Sequence, residues 1–580
     1  METSQTRVTG GELVARTLKA AGVTRVFALH GGHHEALFKG CVDHDIAITD
    51  FRHEAAAGHA ADAYARTTGR LGVCIITAGP GYANATAAIA NAHLDGSPVL
   101  FIIGAPPLRE VETNPLQGGI DQIAMARPVS KWALSIPATE RIPDLTAMAI
   151  RRAVTGRPGP VVLELPIDIL HQSVPLSQAT PPAGVNVRPR PAPAPSETQA
   201  LVDLLAAAQR PVIIAGLEAA NDATATAIRP LVERLRIPVF VKSQAAGLLP
   251  PGHPLDGGAA SGLGVLPMLG LPRPDLVILL GARMGLLLGG RSGAIVPHDA
   301  RVAQVALDAG EIGRIRDVDL AIAAAAAETL SALDTATAGF AGQDWSGWAA
   351  QATSVRAAMA AMVPPPSETG KIHPAHAAAA VAQAAGTEAV FVLDGGEAAS
   401  WAGGAVRVDA PARVLSHGYL GCLGIGPGFA IGAQLAHPDR RLVQVTGDGA
   451  MGFHVQEFDT MVRHRLPIVT VVLNNEVWGM SIHGQQLMYG ANYNVITQIA
   501  GTHYADIAAA FGCHAERVTT LAGVGPAMER ALSAGRPALV EIMVDADIVH
   551  PVTVSMLGQV AEGSRDVMIP YYENIPQAAV

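Results

Sequence analysis

The chain has 580 residues, of which 49% are hydrophobic and 16% charged. That balance excludes a disordered chain, and the length suits three or four domains with cores of their own. Forty basic against fifty acidic residues give a formal charge of −10, and without a basic excess or a basic run no nucleic-acid partner is expected.

Aromatic residues make up only 4%, so Ala, Val, Leu and Ile must build the cores. The N-terminal METSQTRVTGGEL has no charged stretch leading into an apolar core, so no secretory signal is expected. No run of about twenty apolar residues is free of Gly, Pro and charge, so no membrane span is expected either. Cys41, Cys74, Cys422 and Cys513 lie far apart and form neither a metal-ligand spacing nor a disulfide framework. Together these features read as a cytoplasmic protein.

Apolar β-rich runs alternate with helical patterns. Strands are predicted at Arg25–Leu29, Gly72–Ile76, Val99–Ile103 and Val161–Leu165, with helices over Ala55–Arg66 and Ala83–Leu94. Such runs, separated by helices, argue for parallel sheets buried on both faces. The proline-rich stretch from Val174 to Ser196 reads as an extended linker. A second unit is predicted from strands at Pro211–Gly216, Ile237–Val241, Asp275–Gly281 and Val302–Leu307, closed by an Ala-rich helix over Leu320–Leu333. A polar segment with Pro364–Pro366 leads into a third unit, with strands at Ala389–Asp394, Leu442–Thr446, Ile468–Leu473 and Ala538–Val544. The expected fold class is therefore α/β, three open parallel-sheet αβ domains over 1–176, 198–340 and 371–548, with linkers at 177–197 and 341–370. The tail 549–580, with Tyr571 and Tyr572, is expected to cover a pocket or a subunit surface.

The sharpest chemical signal lies in the third unit. The predicted strand Leu442–Thr446 ends in Gly447-Asp448-Gly449, and the strand Ile468–Leu473 ends in Asn474-Asn475. Carboxyl ends of neighbouring parallel strands are where ligands bind in open αβ sheets. Glycines beside Asp448 allow close approach of a bulky anion, and carboxylate, amide and backbone oxygens are hard donors suited to Mg²⁺. A further glycine-rich stretch, HGYLGCLGIGPG, spans His417–Gly428. As a dinucleotide-binding turn it lacks a clearly placed strand and acidic partner. In the first unit, Arg52-His53-Glu54-Ala55-Ala56-Ala57-Gly58-His59 places Glu54 at the start of a helix, where an acid also suits the helix dipole.

The GDG and the NN some two dozen residues later resemble the signature of thiamine diphosphate-dependent enzymes. The resemblance implies pyrimidine-binding, central and diphosphate-binding domains. It implies that Asp448, Asn475 and the Val477 carbonyl hold Mg²⁺ against the diphosphate, with Gly395, Gly396, Gly447, Gly449, Trp478 and Gly479 around the cofactor. Leu423 would support its bent form, and the Gly421 carbonyl would accept from its 4′-amino group. Glu54 would bond N1′ of the aminopyrimidine and favour the tautomer that generates the thiazolium ylid. Active sites built between two subunits, in a homodimer within a homotetramer, are also implied.

Stretches such as LHGGHHEALF, RHEAAAGHAADAYAR and ETNPLQGGIDQIAMA are most similar to the benzaldehyde-lyase branch. That branch implies a lyase or carboligase that cleaves or forms 2-hydroxyketones (acyloins) from aldehydes. His33 is then the acid/base and Gln117 a polar group at the reacting carbonyl. His30, His417 and His483 become candidate pocket donors, whereas His34, His53 and His59 read as hydrogen-bonded structural residues. Gly32, Ile167, Ala399, Met480 and Gly484 differ from that branch at pocket positions, which reshapes the pocket. The alternatives are a decarboxylating carboligase of the acetolactate-synthase type and a 2-hydroxyacyl-CoA lyase. Central domains of such relatives bind FAD or an ADP moiety, and Gly281-Ala282-Arg283 is suitably placed after a strand. Met284, Gly285 and Leu286 stand where flavin-binding relatives often carry an acidic pair, so FAD is not expected. Two further classes are disfavoured. A non-catalytic relative would have lost Asp448, Asn475 or Glu54, and a dinucleotide-dependent oxidoreductase would need a fingerprint.

Overall fold

The computed structural model describes residues 6–113, 116–185, 187–290, 292–340, 342–362 and 364–557. Tyr571, Tyr572 and most of the expected tail lie outside the described residues. Three six-stranded sheets, all with parallel neighbours, form the core of three domains. The strands are apolar runs such as Val-Val-Leu-Glu-Leu-Pro at 161–166 and Leu-Val-Ile-Leu-Leu at 276–280. Helices cover both faces, which is why these runs do not alternate with polar residues.

The first and third domains share one topology. In each, the first two strands lie in reverse order at one edge and the last two in reverse order at the other. The first domain runs Ala47–Asp50, Arg25–Ala28, Gly72–Ile76, Val99–Ala105, Val161–Pro166, Trp132–Ser135. The third runs Val414–Ser416, Val390–Leu393, Leu442–Gly447, Val469–Asn474, Ala538–Met543, His514–Val518. The central sheet runs Asp256–Ala259, Val239–Val241, Pro211–Ala215, Leu276–Leu280, Arg301–Ala306, Leu320–Ala323, the dinucleotide-fold order. Each sheet has a point where the winding direction reverses, and a crevice opens there at the strands' carboxyl ends.

Two expectations need correction. Leu320–Ala323 is not the start of an Ala-rich helix but the edge strand of the central sheet, paired with Ala303–Ala306. Burial of Ile322 in that sheet outweighs the helix propensity of alanine, and the helix begins only at Ala326. The segment 341–370, expected as a linker, carries the helix Ser346–Ala361. Its Trp348 and the preceding Trp345 are buried, and their indole N–H groups donate to Pro211 and Ala208 carbonyls, so it belongs to the central core.

The first and third domains meet through two helices, Glu54–Thr68 and Gly426–Ala436. Small residues let their backbones touch. A Cβ on Gly432 would lie 2.1 Å from the Ala60 carbonyl oxygen, and one on Gly428 would lie 2.6 Å from that of Ala56. Gly432→Val should therefore prise the helices apart and destabilise the protein by roughly 1–3 kcal/mol. Gly404→Ala, in a helix where a Cβ meets nothing within 4 Å, should be neutral or slightly stabilising. Chemical denaturation of the two variants checks the contrast.

Candidate active site

The strand Leu442–Gly447 delivers Asp448 to the switch point of the third sheet. Asp448 is buried, and that burial pushes its carboxyl up to about 6 despite backbone donors from Gly449 and Glu476. Its Oδ2 is buried with no hydrogen-bond partner. The strand Val469–Asn474 ends beside it. Here the Asn pair divides its work. Asn474 is structural, since Nδ2 donates to Glu541 at 2.7 Å and to the Thr502 carbonyl at 3.2 Å. Glu476 takes a left-handed turn at φ +62°, which leaves Asn475 half-buried with Oδ1 accepting from the Val477 amide at 3.3 Å.

Glycines shape the surface around Asp448. Gly395 has φ +95°, and a Cβ on it would approach the Gly447 amide at 3.3 Å. One on Gly396 would meet the Met480 side chain at 3.2 Å, one on Gly479 the Asn475 amide at 3.1 Å, and one on Gly449 the Trp478 ring at 2.6 Å. An orphaned carboxylate oxygen in a glycine cradle, reached by the Gly449 and Glu476 backbone amides, fits a Mg²⁺-diphosphate group. Among the described residues no group of three or more His, Cys, Asp or Glu could hold a metal otherwise.

The first sheet carries its own set at its switch point, between Arg25–Ala28 and Gly72–Ile76. His33 follows the first strand and Thr77 the second, and His33 Nδ1 meets Thr77 Oγ1 at 2.9 Å. Burial lowers the His33 pKa, so the ring is neutral near pH 7 and Nε2 is left for proton transfer. Gly104 permits this seat, since a Cβ on it would lie 2.8 Å from that of His33. Glu54 opens its helix, buried, with Oε2 accepting from Asn84 Nδ2 at 3.0 Å. The His53 ring caps the same helix by accepting from the Ala55 amide.

The other expected site residues fall in different places. Gln117 is exposed, in a left-handed conformation at φ +54°, with its backbone 3.1 Å from where a Gly79 Cβ would sit. His30 is exposed, pairs with Glu35 at 2.9 Å and stacks on Phe38. Gly32 has open space around it. Ile167 and Ala399 are half-buried, and Gly484 is buried. His417 Nε2 bonds the Gly395 carbonyl at 3.1 Å, while its buried Nδ1 has no partner. His483 has no free ring nitrogen for a pocket. Glu397 takes Nδ1 at 2.8 Å and the Ala546 carbonyl takes Nε2 at 2.8 Å, so it ties the helix Gly479–Tyr489 to both. His34 is likewise buried on the Ile76 carbonyl and pushed down to about 4, chiefly by burial.

Two residues escaped sequence reasoning. Gln122 is buried among carboxyl strand ends. Its Oε1 accepts from the Gly79 amide at 2.8 Å, and its Nε2 donates to the Gly104 carbonyl and to Glu164. It thereby spaces the supports of Gln117 and His33. The only signal was a Gln opening an otherwise apolar short helix, Gln122–Ala126. Glu457 of the third domain accepts the Arg52 amide at 3.2 Å, two residues before Glu54, and Thr460 donates to it at 2.6 Å.

Comparison with known proteins decides the family. Residues 8–125 match the thiamine pyrophosphate enzyme N-terminal TPP binding domain, 198–333 the central domain, and 394–542 the C-terminal TPP binding domain. The chain belongs to the thiamine pyrophosphate (diphosphate) enzymes. It is 32% identical over 552 residues to a probable acetolactate synthase of Mycobacterium bovis, spanning 93% of this chain and 96% of that one. It is 31% identical over 553 residues to 2-hydroxyacyl-CoA lyase 2 of Bos taurus, spanning 88% and 85%. These relatives carry acetolactate-synthase and 2-hydroxyacyl-CoA-lyase names; they do not show the narrower benzaldehyde-lyase branch expected from the motifs.

As in any such enzyme, both cofactor-binding domains must be held in register. Here the third domain's helix Glu457–Arg463 grips the loop before Glu54, with Arg463 on Asp50 at 2.7 Å besides the Glu457 bond. Glu457 is fully buried, and burial raises its carboxyl from 4.5 to about 7. The folded chain thus holds a proton that the unfolded chain has lost in that window. Stability from this group is complete below about pH 4.5 and drains away as pH rises through about 7. Glu457→Gln should remove that dependence. Relative to the wild type, the variant should gain on the order of 3 kcal/mol between pH 5 and pH 8. Urea denaturation at the two pH values measures this, and parallel curves would contradict it.

Proposed function

We propose that the chain is a thiamine diphosphate- and Mg²⁺-dependent lyase or carboligase. It works at the bond between a carbonyl carbon and the adjacent hydroxyl-bearing carbon. The observation that carries the proposal is the neutral, buried His33 seated on Thr77 at one switch point, while the orphaned Asp448 oxygen marks the other. Asp448, Asn475 and Val477 would hold the metal, and Glu54 would bond the aminopyrimidine. When bound, the cofactor supplies a carbon that acts as a carbanion equivalent and an electron sink. His33 Nε2 then takes the hydroxyl proton as the carbon–carbon bond breaks, or returns it when the bond forms. The pair that would face the reacting oxygen, His33 and Thr77, is neutral, which suits a neutral aldehyde or 2-hydroxyketone.

The two kinds of relative widen the substrate class to 2-keto acids and 2-hydroxyacyl thioesters. One observation favours the thioester. A cleft of about 550 Å³ between the three domains is lined by Arg157, Arg188, Lys242 and Arg283. Asp95, Glu218 and Glu328 line it as well. Burial and the neighbouring Arg283 nevertheless push Lys242 down to about 8, so at this end of the cleft an anionic nucleotide such as that of a CoA ester would be welcome. Flavin has no part in this proposal. Active sites shared between subunits of a homodimer, within a homotetramer, remain part of the reading.

The test is a panel of acetoin, benzoin, pyruvate and a 2-hydroxyacyl-CoA, each with cofactor and Mg²⁺, read by chromatography and carbon dioxide release. Carbon–carbon cleavage or ligation of at least one is expected. His33→Ala should lower kcat on that substrate by about a hundredfold or more while cofactor affinity holds. No turnover of any of the four would end the proposal.

A further inference from the structure

The glycine-rich loop 417–424 carries Gly421 and Leu423, and the third domain alone does not fix it. From within that domain, Asp394 accepts the Gly424 amide at 3.1 Å, and the Gly424 carbonyl meets the His454 ring at 2.7 Å. From the first domain, Asp95 accepts the Tyr419 amide at 3.2 Å. Asp95 is itself held by the buried Arg66 at 2.9 Å. Gly418 is obligatory at this contact, because a Cβ there would lie 1.7 Å from the Asp95 carboxylate. From the central domain, the Arg283 guanidinium lies 4.2 Å from the Tyr419 ring centroid and the Lys242 ammonium 5.2 Å from it. The Tyr419 hydroxyl donates back to the Arg283 carbonyl at 3.3 Å. Arg283 is in turn anchored on the Leu94 carbonyl at 2.5 Å, next to Asp95, and faces Glu311 at 3.6 Å.

The contacts converge on one residue: the first domain holds the Tyr419 amide, and the central domain holds its ring and hydroxyl. We propose that Tyr419 is a positioning residue, through which the first and central domains jointly hold the loop that presents Gly421 and Leu423 to the cofactor. Besides lining the interdomain cleft, the central domain thereby acts on the loop itself, by setting two cations against an aromatic ring. Gly421 and Gly424, at φ +67° and +80°, make the loop pliable, so an external anchor has something to do. The inference rests on the reading that this loop faces thiamine diphosphate.

The test uses the full chain with thiamine diphosphate and Mg²⁺. Tyr419→Ala should weaken cofactor binding by about tenfold while kcat at saturating cofactor falls much less. In the cofactor-free protein, amide hydrogen exchange across 417–424 should rise, with exchange in the distant helix Ile142–Val154 unchanged. Tyr419→Phe keeps the ring and should recover most of the affinity. Arg283→Met leaves the loop sequence intact and should loosen the same amides. It decides the matter if Tyr419→Ala raises exchange everywhere. Wild-type affinity and loop exchange in Tyr419→Ala, or in Arg283→Met when that variant decides, would overturn the inference. A chain that binds no thiamine diphosphate at all would instead overturn the proposed function.

Discussion

The close contact between the helices Glu54–Thr68 and Gly426–Ala436 is the constraint on which the site depends. The first helix begins at Glu54, and the second follows directly from the loop that carries Gly421 and Leu423. Gly428 and Gly432 bring the helix backbones together over Ala56 and Ala60. The groups at their N-terminal ends are thereby fixed against each other. Larger residues at these positions would separate the two domains. Beneath the contact, the buried Arg66 binds both Asp62 and Asp95 at 2.7 and 2.9 Å, so the charges at the junction are paired rather than stranded.

The three sheets put the same geometric opportunity to three uses. At the switch point of the first, His33 meets Thr77 beside a loop supported by Gly79. At that of the third, Asp394 gathers the amides of Gly395, Gly424 and Gly426 while Asp448 keeps one oxygen unpartnered. The central switch point is closed by backbone, since a Cβ on Gly216 would lie 2.5 Å from the Ala282 Cα. Its basic residues turn outward to the interdomain cleft and to the Tyr419 ring. A central domain that seems peripheral by sequence is thus bolted to both of its neighbours.

Much of this was legible in the sequence. Uninterrupted apolar runs mark the central strands, and the spacing from Gly447-Asp448-Gly449 to Asn474-Asn475 already points to the family. What was not legible has physical causes. Short edge strands such as Trp132–Ser135 and His514–Val518 carry polar or mixed residues and lack a buried run. Alanine at 321 and 323–325 suits either a helix or an edge strand, and only the pairing with Arg301–Ala306 decides. Histidines look alike in sequence, yet His33 is held through Nδ1 on Thr77 while His483 spends both nitrogens on Glu397 and Ala546. The roles of Gln122, Glu457 and Tyr419 arise from contacts across tens to hundreds of positions, which no local pattern encodes. The comparisons also redirected the reading of substrate, from the benzaldehyde-lyase branch towards acetolactate synthases and 2-hydroxyacyl-CoA lyases.

The central claim is that Glu54, fixed at its helix N-terminus by this packing, activates a cofactor whose diphosphate sits at Asp448. Hydrogen–deuterium exchange at the thiazolium C2 of bound thiamine diphosphate measures that activation without needing a substrate. Glu54→Gln should slow the exchange by about a hundredfold or more while Mg²⁺-dependent binding of the cofactor is retained. Wild-type exchange in the Gln variant would contradict the account.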